Sequence, residues 1–204
     1  VMASGQARGA DLAGASFAAT PGVIAFWAET GMQPASIGSR AETSTGAHSV
    51  VMIRPLSAAG RRLAQATQDR FVNDLPWHLG DALAGLDPAV LAAVVASTPA
   101  RRVGLSKDDT VLLEGFARES RPFEHSRAAL WRLGAAALRA PRLLDRLTEN
   151  ARNALVARVL QARPWAESAR MAQASGRSEL VALLRTVTEE LLTSLESGSD
   201  LSGE

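Results

Sequence analysis

The sequence predicts an α+β fold: three short strands and one helix over residues 1–55, then an all-helical stretch over residues 57–196. Three observations predict it. Residues 49–54 (SVVMIR) are rich in β-branched side chains and are stopped by Pro55. After Pro55 the apolar residues recur at helical spacing instead of alternating. Leu180, Leu184, Val187, Leu191 and Leu195, spaced four, three, four and four, then lay a single apolar stripe along a final helix.

Each element follows from local chemistry. Residues 11–19 (DLAGASFAA) read as a strand of small residues. Thr20 is an N-cap, and Pro21 fills the first helical position, where a missing N–H costs nothing. That helix runs through VIAFWAET and stops at Gly31. Residues 34–40 form a second strand, 41–46 (AETSTG) a turn, and 49–54 the third strand. Ser57 caps a helix expected to reach about Val72, and residues 79–96 follow with an interruption near 85–88 (GLDP). Residues 99–104 form a loop. Ser106 and Asp109 make a capping-box-like pair before Leu112, Leu113 and Phe116. This helix ends before Arg121-Pro122, because the residue preceding proline disfavours helix. Ser126 is expected to cap the next one, with Leu130, Leu133 and Ala137 on one face. Leu143, Leu144 and Leu147 mark another helix. Leu155, Val156, Val159 and Leu160 mark one more, stopped by Pro164. The last begins near Ser178, and residues 197–204, rich in Ser, Gly and acids, are expected to be a disordered tail.

Composition bounds the chemistry. The chain has 204 residues, 47% hydrophobic and 21% charged, enough to build a core in one domain or two small ones. Cysteine is absent, which excludes thiol catalysis, disulfides and cysteine metal sites. His48, His78 and His125 are too far apart in sequence to form a local ligand pair, so no metal site is expected. No apolar run reaches the ~18 residues of a membrane span, and no secretory signal is visible, so a cytoplasmic protein without membrane contact is expected. The chain opens on Val1, and three strands cannot close a sheet core alone. A piece of a longer protein is therefore expected, with its N-terminal modules missing.

Charge is unevenly spread. Residues 1–100 carry six Arg and seven acids, net −1. Residues 101–185 carry 15 Arg and one Lys against nine acids, net +7, and residues 186–204 carry five acids and no base. A basic middle of this kind suits a polyanionic partner, and equally suits a solvated helical surface in an arginine-rich protein.

Several blocks carry a more specific signal. In residues 16–32 (SFAATPGVIAFWAETGM), Ser16, Phe17, Thr20, Phe26, Trp27 and Gly31 match a pattern S-F-x-x-T-x-x-x-x-x-F-W-x-x-x-G-F, with Met32 in place of the last Phe. Glu42, Ser44, Gly46, Pro55, Leu56 and Ser57 match a second block. Leu105, Asp109, Leu113, Gly115, Phe116, Ala117, Arg121 and Pro122 match a third, which Leu130, Arg132 and Leu133 continue. Ser175-Gly176-Arg177 matches a late S-G-R. In this order the blocks resemble the bacterial tRNA(Met) cytidine acetyltransferase family.

The resemblance implies a parent enzyme with an N-terminal module, an ATP-driven helicase-like module, a GNAT-type acetyltransferase domain and a helical tRNA-binding domain. Such enzymes transfer acetyl from acetyl-CoA to the N4 amine of the wobble cytidine of elongator tRNA(Met), with ATP hydrolysis. Residues 1–55 would be the end of the GNAT-type domain and residues 57–196 the tRNA-binding domain. Neither a glycine-rich CoA loop nor a P-loop occurs in the sequence, so this segment alone is expected to bind neither acetyl-CoA nor ATP and to be inactive. The family's acetyl-CoA contacts on the first helix, a Glu after the Pro and an Arg two before the Gly, fall on Gly22 and Glu29 here, and are not carried over. No catalytic residue is assigned. Phe26 and Trp27 read as packing between helix and sheet, His48 as an exposed strand-end residue, and Glu42 and Ser44 as structural.

Binding is expected in the helical part, where arginine forks suit phosphate oxygens. The candidates are Arg101, Arg102, Arg121, Arg127 and Arg132. For Arg121 the competing roles are a helix C-cap or an ion pair with Glu119 or Glu124. Trp131 and Trp165 could stack an unpaired base, although core burial is favoured for both. Two other readings stay open: a stand-alone helical RNA-binding module, and a protein–protein adaptor without nucleic acid.

Overall fold

A computed structural model describes residues 9–41, 46–99 and 105–200. The chain divides into two compact units, Val1–Thr98 and Pro99–Glu204.

In the first unit, β1 (Leu12–Ala18), β2 (Gln33–Ala41) and β3 (His48–Pro55) form an antiparallel sheet in the order β1-β3-β2. The β-branched run takes the centre, paired from Leu12↔Pro55 to Ala18↔Ser49 on one side and from Gln33↔Ile53 to Ala41↔His48 on the other. Val50 and Met52 are fully buried there. Pro34 lies on β2, at an edge, where a missing ladder donor is tolerated.

Helix α1 (Pro21–Glu29) starts as the sequence requires: Thr20 Oγ1 accepts the Val23 N–H at 3.3 Å. Gly31, at φ +81°, supplies the left-handed stop just after it. Ile24 is fully buried, and the Trp27 ring stacks on Phe17 of β1 with centroids 6.0 Å apart and planes at 16°. Phe26 is instead 58% exposed, against the expectation that both rings pack inward. Neighbouring helical residues diverge by about 100°, so a narrow apolar stripe holds only one of two adjacent rings.

Helix α2 (Ala58–Leu79) begins where Ser57 Oγ accepts the Gly60 N–H at 2.9 Å. It runs past Val72 and through Pro76, further than expected. A mid-helix proline costs about 3 kcal/mol, but burial of Leu75 and Leu79 gains about 1.5–3 kcal/mol each and keeps the chain helical. Helix α3 (Pro88–Ala96) is capped by Asp87, whose Oδ1 accepts the Ala89 N–H at 2.7 Å. α2 packs on β2 and β3, and α3 packs on α1. Both helices therefore belong with the sheet in the compact unit. His48 is half-buried, its Nδ1 2.8 Å from the Gly38 carbonyl oxygen of β2, not an exposed strand end. His78 and His125 are exposed.

Among its described residues the regular elements of the second unit are all helical: α4 (Lys107–Ala117), α5 (Phe123–Arg139), α6 (Pro141–Arg146), α7 (Glu149–Ala154), a π-helical turn (Leu155–Leu160), α8 (Trp165–Met171) and α9 (Arg177–Asp200). Helix α9 packs on α4, α5, α7 and α8. Its stripe of Leu180, Leu184, Val187 and Leu191 is fully buried, and Leu195 is half-buried. Helix α5 starts at Phe123 with Pro122 as its N-cap, so Ser126 is not the cap; its Oγ donates back to the Pro122 carbonyl at 3.2 Å. Proline already holds φ at −73° and ends the preceding loop, so the helix needs no hydroxyl to start. Residues 197–200 of the expected tail instead continue α9, and residues 201–204 lie outside the described residues. Among the described residues no helix is long and apolar enough to cross a membrane.

Candidate nucleic-acid interface

The five candidate arginines meet different fates. Arg101 and Arg102 lie outside the described residues, as do Glu42 and Ser44. Arg132 turns to Asp109: its Nε donates to both carboxylate oxygens at 2.9–3.0 Å, and its Nη2 to Oδ1 at 2.5 Å. Asp109 is itself held by the Ser106 hydroxyl, at 2.8 Å, in the cap of α4. Arg132 thus ties α5 to the start of α4. Its bonds hold the Asp109 carboxyl below the ordinary carboxylate range, with Ser106 adding to the effect and burial opposing it. Arg132→Ala is expected to cost about 1–3 kcal/mol, discounted because the arginine is half exposed. The pH sign follows from the lowered carboxyl. The pair stabilises the fold fully above about pH 4, the unfolded carboxyl's range, and the gain is lost as pH falls through the lower folded value. Urea titrations at pH 7 and pH 3 should show a larger gap between wild type and variant at pH 7.

Arg121 is exposed, and its backbone N–H closes the end of α4 on the Gly115 carbonyl at 3.0 Å. Its side-chain stem lies over Gly115, where a Cβ would sit 3.0 Å from Arg121 Cδ. Neither expected carboxylate pairs with it: Glu119 meets Arg185 at 3.3 Å, and Glu124 meets Arg177 at 2.5 Å. Arg127 projects from α5, exposed. Among the described residues no carboxylate stands at ion-pair distance from Arg121 or Arg127.

The structure also gathers arginines that are not among the five candidates, around Trp165. Trp165 opens α8, half-buried, with Phe123 edge-on at 4.9 Å and 68°. Two guanidinium groups lie over the indole, Arg158 at 4.3 Å and Arg177 at 4.6 Å from its centroid. Trp165 is therefore neither a plain core residue nor an open stacking platform. Arg158 comes from the π-helical turn, whose other five residues are all buried. Its Nη1 donates to the Arg163 carbonyl, and its buried Nε has no partner. Burial first, then the charges of Arg127 and Arg177, weaken its hold on its proton, and Glu124 alone opposes them. Three cations and one carboxylate leave this cluster at +2. Such an under-neutralised group attracts anions. Arg177 carried a sequence signal in the Ser175-Gly176-Arg177 block, whereas Arg158 had none, because a π turn shifts a side chain off the helical period.

In the first unit Gly22 and Glu29 are both exposed on α1, and Thr20 takes the Val23 N–H at its N-terminus. Helix α1 itself carries no Arg or Lys. Among the described residues no group of three or more His, Asp or Glu could hold a metal.

Comparison with known families gives both halves a relationship. A GNAT acetyltransferase family matches residues 3–57, and a tRNA-binding domain family matches residues 60–198. The class is thus the end of an acetyltransferase fold followed by a tRNA-binding domain. The chain is 34% identical over 91% of its length to the tRNA(Met) cytidine acetyltransferase TmcA of Nitrosococcus halophilus. It is 33% identical over 95% of its length to that of Salmonella typhimurium, and 32% identical over 76% to that of Haloferax volcanii. It spans 25%, 26% and 21% of those proteins respectively, about a quarter of their length. The chain belongs to the tRNA(Met) cytidine acetyltransferase family.

Proposed function

We propose that this chain is the tRNA-holding end of an enzyme that acetylates the N4 amine of the wobble cytidine in elongator tRNA(Met). In this reading acetyl-CoA and ATP are bound by modules upstream, in the cytoplasm. Residues 1–55 complete the acetyltransferase sheet, and residues 57–196 grip the tRNA by its phosphates. The under-neutralised arginine cluster around Trp165 carries the reading, because it lies inside the stretch matched by the tRNA-binding family. Arg121, Arg127 and Arg177 supply the exposed forks. Arg158 is a half-buried charge over Trp165, and Arg132 is a strut.

Fluorescence anisotropy of a labelled tRNA(Met) transcript, titrated with the chain at several salt concentrations, tests the reading. Binding should weaken steeply, with a log–log slope of about −3 or steeper for four or more phosphate contacts. Salt-insensitive or absent binding would overturn it, and salt-insensitive capture of a protein partner would favour the adaptor. The chain incubated with acetyl-CoA and the transcript should form no N4-acetylcytidine, read by mass spectrometry of nucleosides.

A further inference from the structure

Between the end of α8 and the start of α9 lies an open groove of about 570 Å³, a volume within the range of small-ligand sites. Its lining is mostly apolar, with Ala166, Ala169, Ala174 and Trp165. Two cations also line it, exposed Arg170 from α8 and Arg177 from α9, which is paired with Glu124 at 2.5 Å. Ser175 lies between the two arginines, and its backbone N–H is already taken by the Glu179 carboxylate at 2.7 Å. Glu179 thus fixes the approach of the chain to α9, and the cations that face the groove are the two arginines.

The two chemistries together restrict the occupant. A phosphate alone needs no apolar lining, and an apolar ligand gains nothing from two flanking cations. A nucleotide has both parts, a flat base and an anionic link to the next residue. We infer that this groove takes one unpaired nucleotide of the bound RNA, its base on the alanines beside Trp165 and its phosphate between Arg170 and Arg177. Small side chains in the lining matter because a base needs about 3.5 Å of clear depth. The inference rests on the RNA-binding reading and adds to it a preference for single-stranded over duplex segments, since a paired base cannot enter a groove.

The test compares a labelled single-stranded uridine decamer with a labelled RNA duplex of twelve base pairs. Ala166 is exposed, so Ala166→Leu fills the groove without disturbing the core or the charge. This variant should lose about five- to tenfold in affinity for the decamer and keep its salt slope, with duplex binding unchanged. Arg170→Ala should weaken decamer binding and lower the salt slope by about 1. Equal effects of Ala166→Leu on both RNAs, or no effect on either, overturn the groove while RNA binding stands. Absence of RNA binding by the wild-type chain overturns both. Unchanged thermal melting of the two variants confirms that the fold is intact.

Discussion

Replacing Arg121, Arg127 and Arg177 together by alanine should lower tRNA affinity by about 30- to 150-fold at 0.1 M salt and reduce the log–log salt slope by about 2–3. Each fork removed forfeits one phosphate contact, worth on the order of 0.7–1 kcal/mol in water, and three sum to about 2–3 kcal/mol. The loss should fall with rising salt, because the missing term is counterion release. All three side chains are exposed, so the fold should survive. One local consequence follows from Arg177: Glu124 loses its 2.5 Å partner and Trp165 one of its two cations. Arg158 is left out on purpose. Its guanidinium sits over both Phe123 and Trp165 and bonds the chain at Arg163, so its removal would unsettle the unit and mask any effect on binding. Arg118→Ala serves as the control: that side chain is exposed and pairs with Glu114 at 3.6 Å on its own helix. Its loss should change affinity by less than about threefold.

The second large effect is on stability. A Cβ on Gly60 would stand 1.9 Å from the carbonyl oxygen of Asp11 and 2.8 Å from its carbon. That contact is backbone, so no side-chain rotation relieves it. The same carbonyl accepts the Leu56 N–H at 2.9 Å, and the Asp11 carboxylate accepts from the Ser57 hydroxyl. Moving Asp11 would therefore undo the junction that seats α2 against the start of β1. Gly60→Ala is expected to cost about 3 kcal/mol or more and to lower the melting temperature of the first unit by about 15 °C. Gly22→Ala, where nothing lies within 4 Å, should instead stabilise α1 by about 0.5–1 kcal/mol. A Gly60→Ala protein that melts with wild type would contradict the packing of α2.

Much of this fold was legible in the sequence. Thr20-Pro21, Ser57 and Ser106 all cap where their hydroxyls predict, because an N-cap is decided by four neighbouring residues. The central strand was read from its β-branched run for a similar reason. What failed has two causes, tertiary burial and a stronger local competitor for a cap. Pro76 stays helical because tertiary burial on both sides outweighs it, and Ser126 yields the cap to Pro122.

The interface was legible only in outline. The excess of arginine over residues 101–185 falls inside the stretch that the tRNA-binding family matches. Which arginines are engaged was not readable. Arg132 is bound to a carboxylate 23 positions away, and Arg177 reaches Glu124 across 53. Arg158 needed the π turn to place it under Trp165.

The most direct measurement is a map of the contact itself: ultraviolet crosslinking of the chain to a tRNA(Met) transcript, followed by mass spectrometry of the nucleotide-bearing peptides. Crosslinks should concentrate in residues 121–127 and 165–177, around the aromatic ring that photochemistry favours. Crosslinks confined to the strands and α2 of the first unit, with none near Trp165, would contradict the arginine cluster as the tRNA surface.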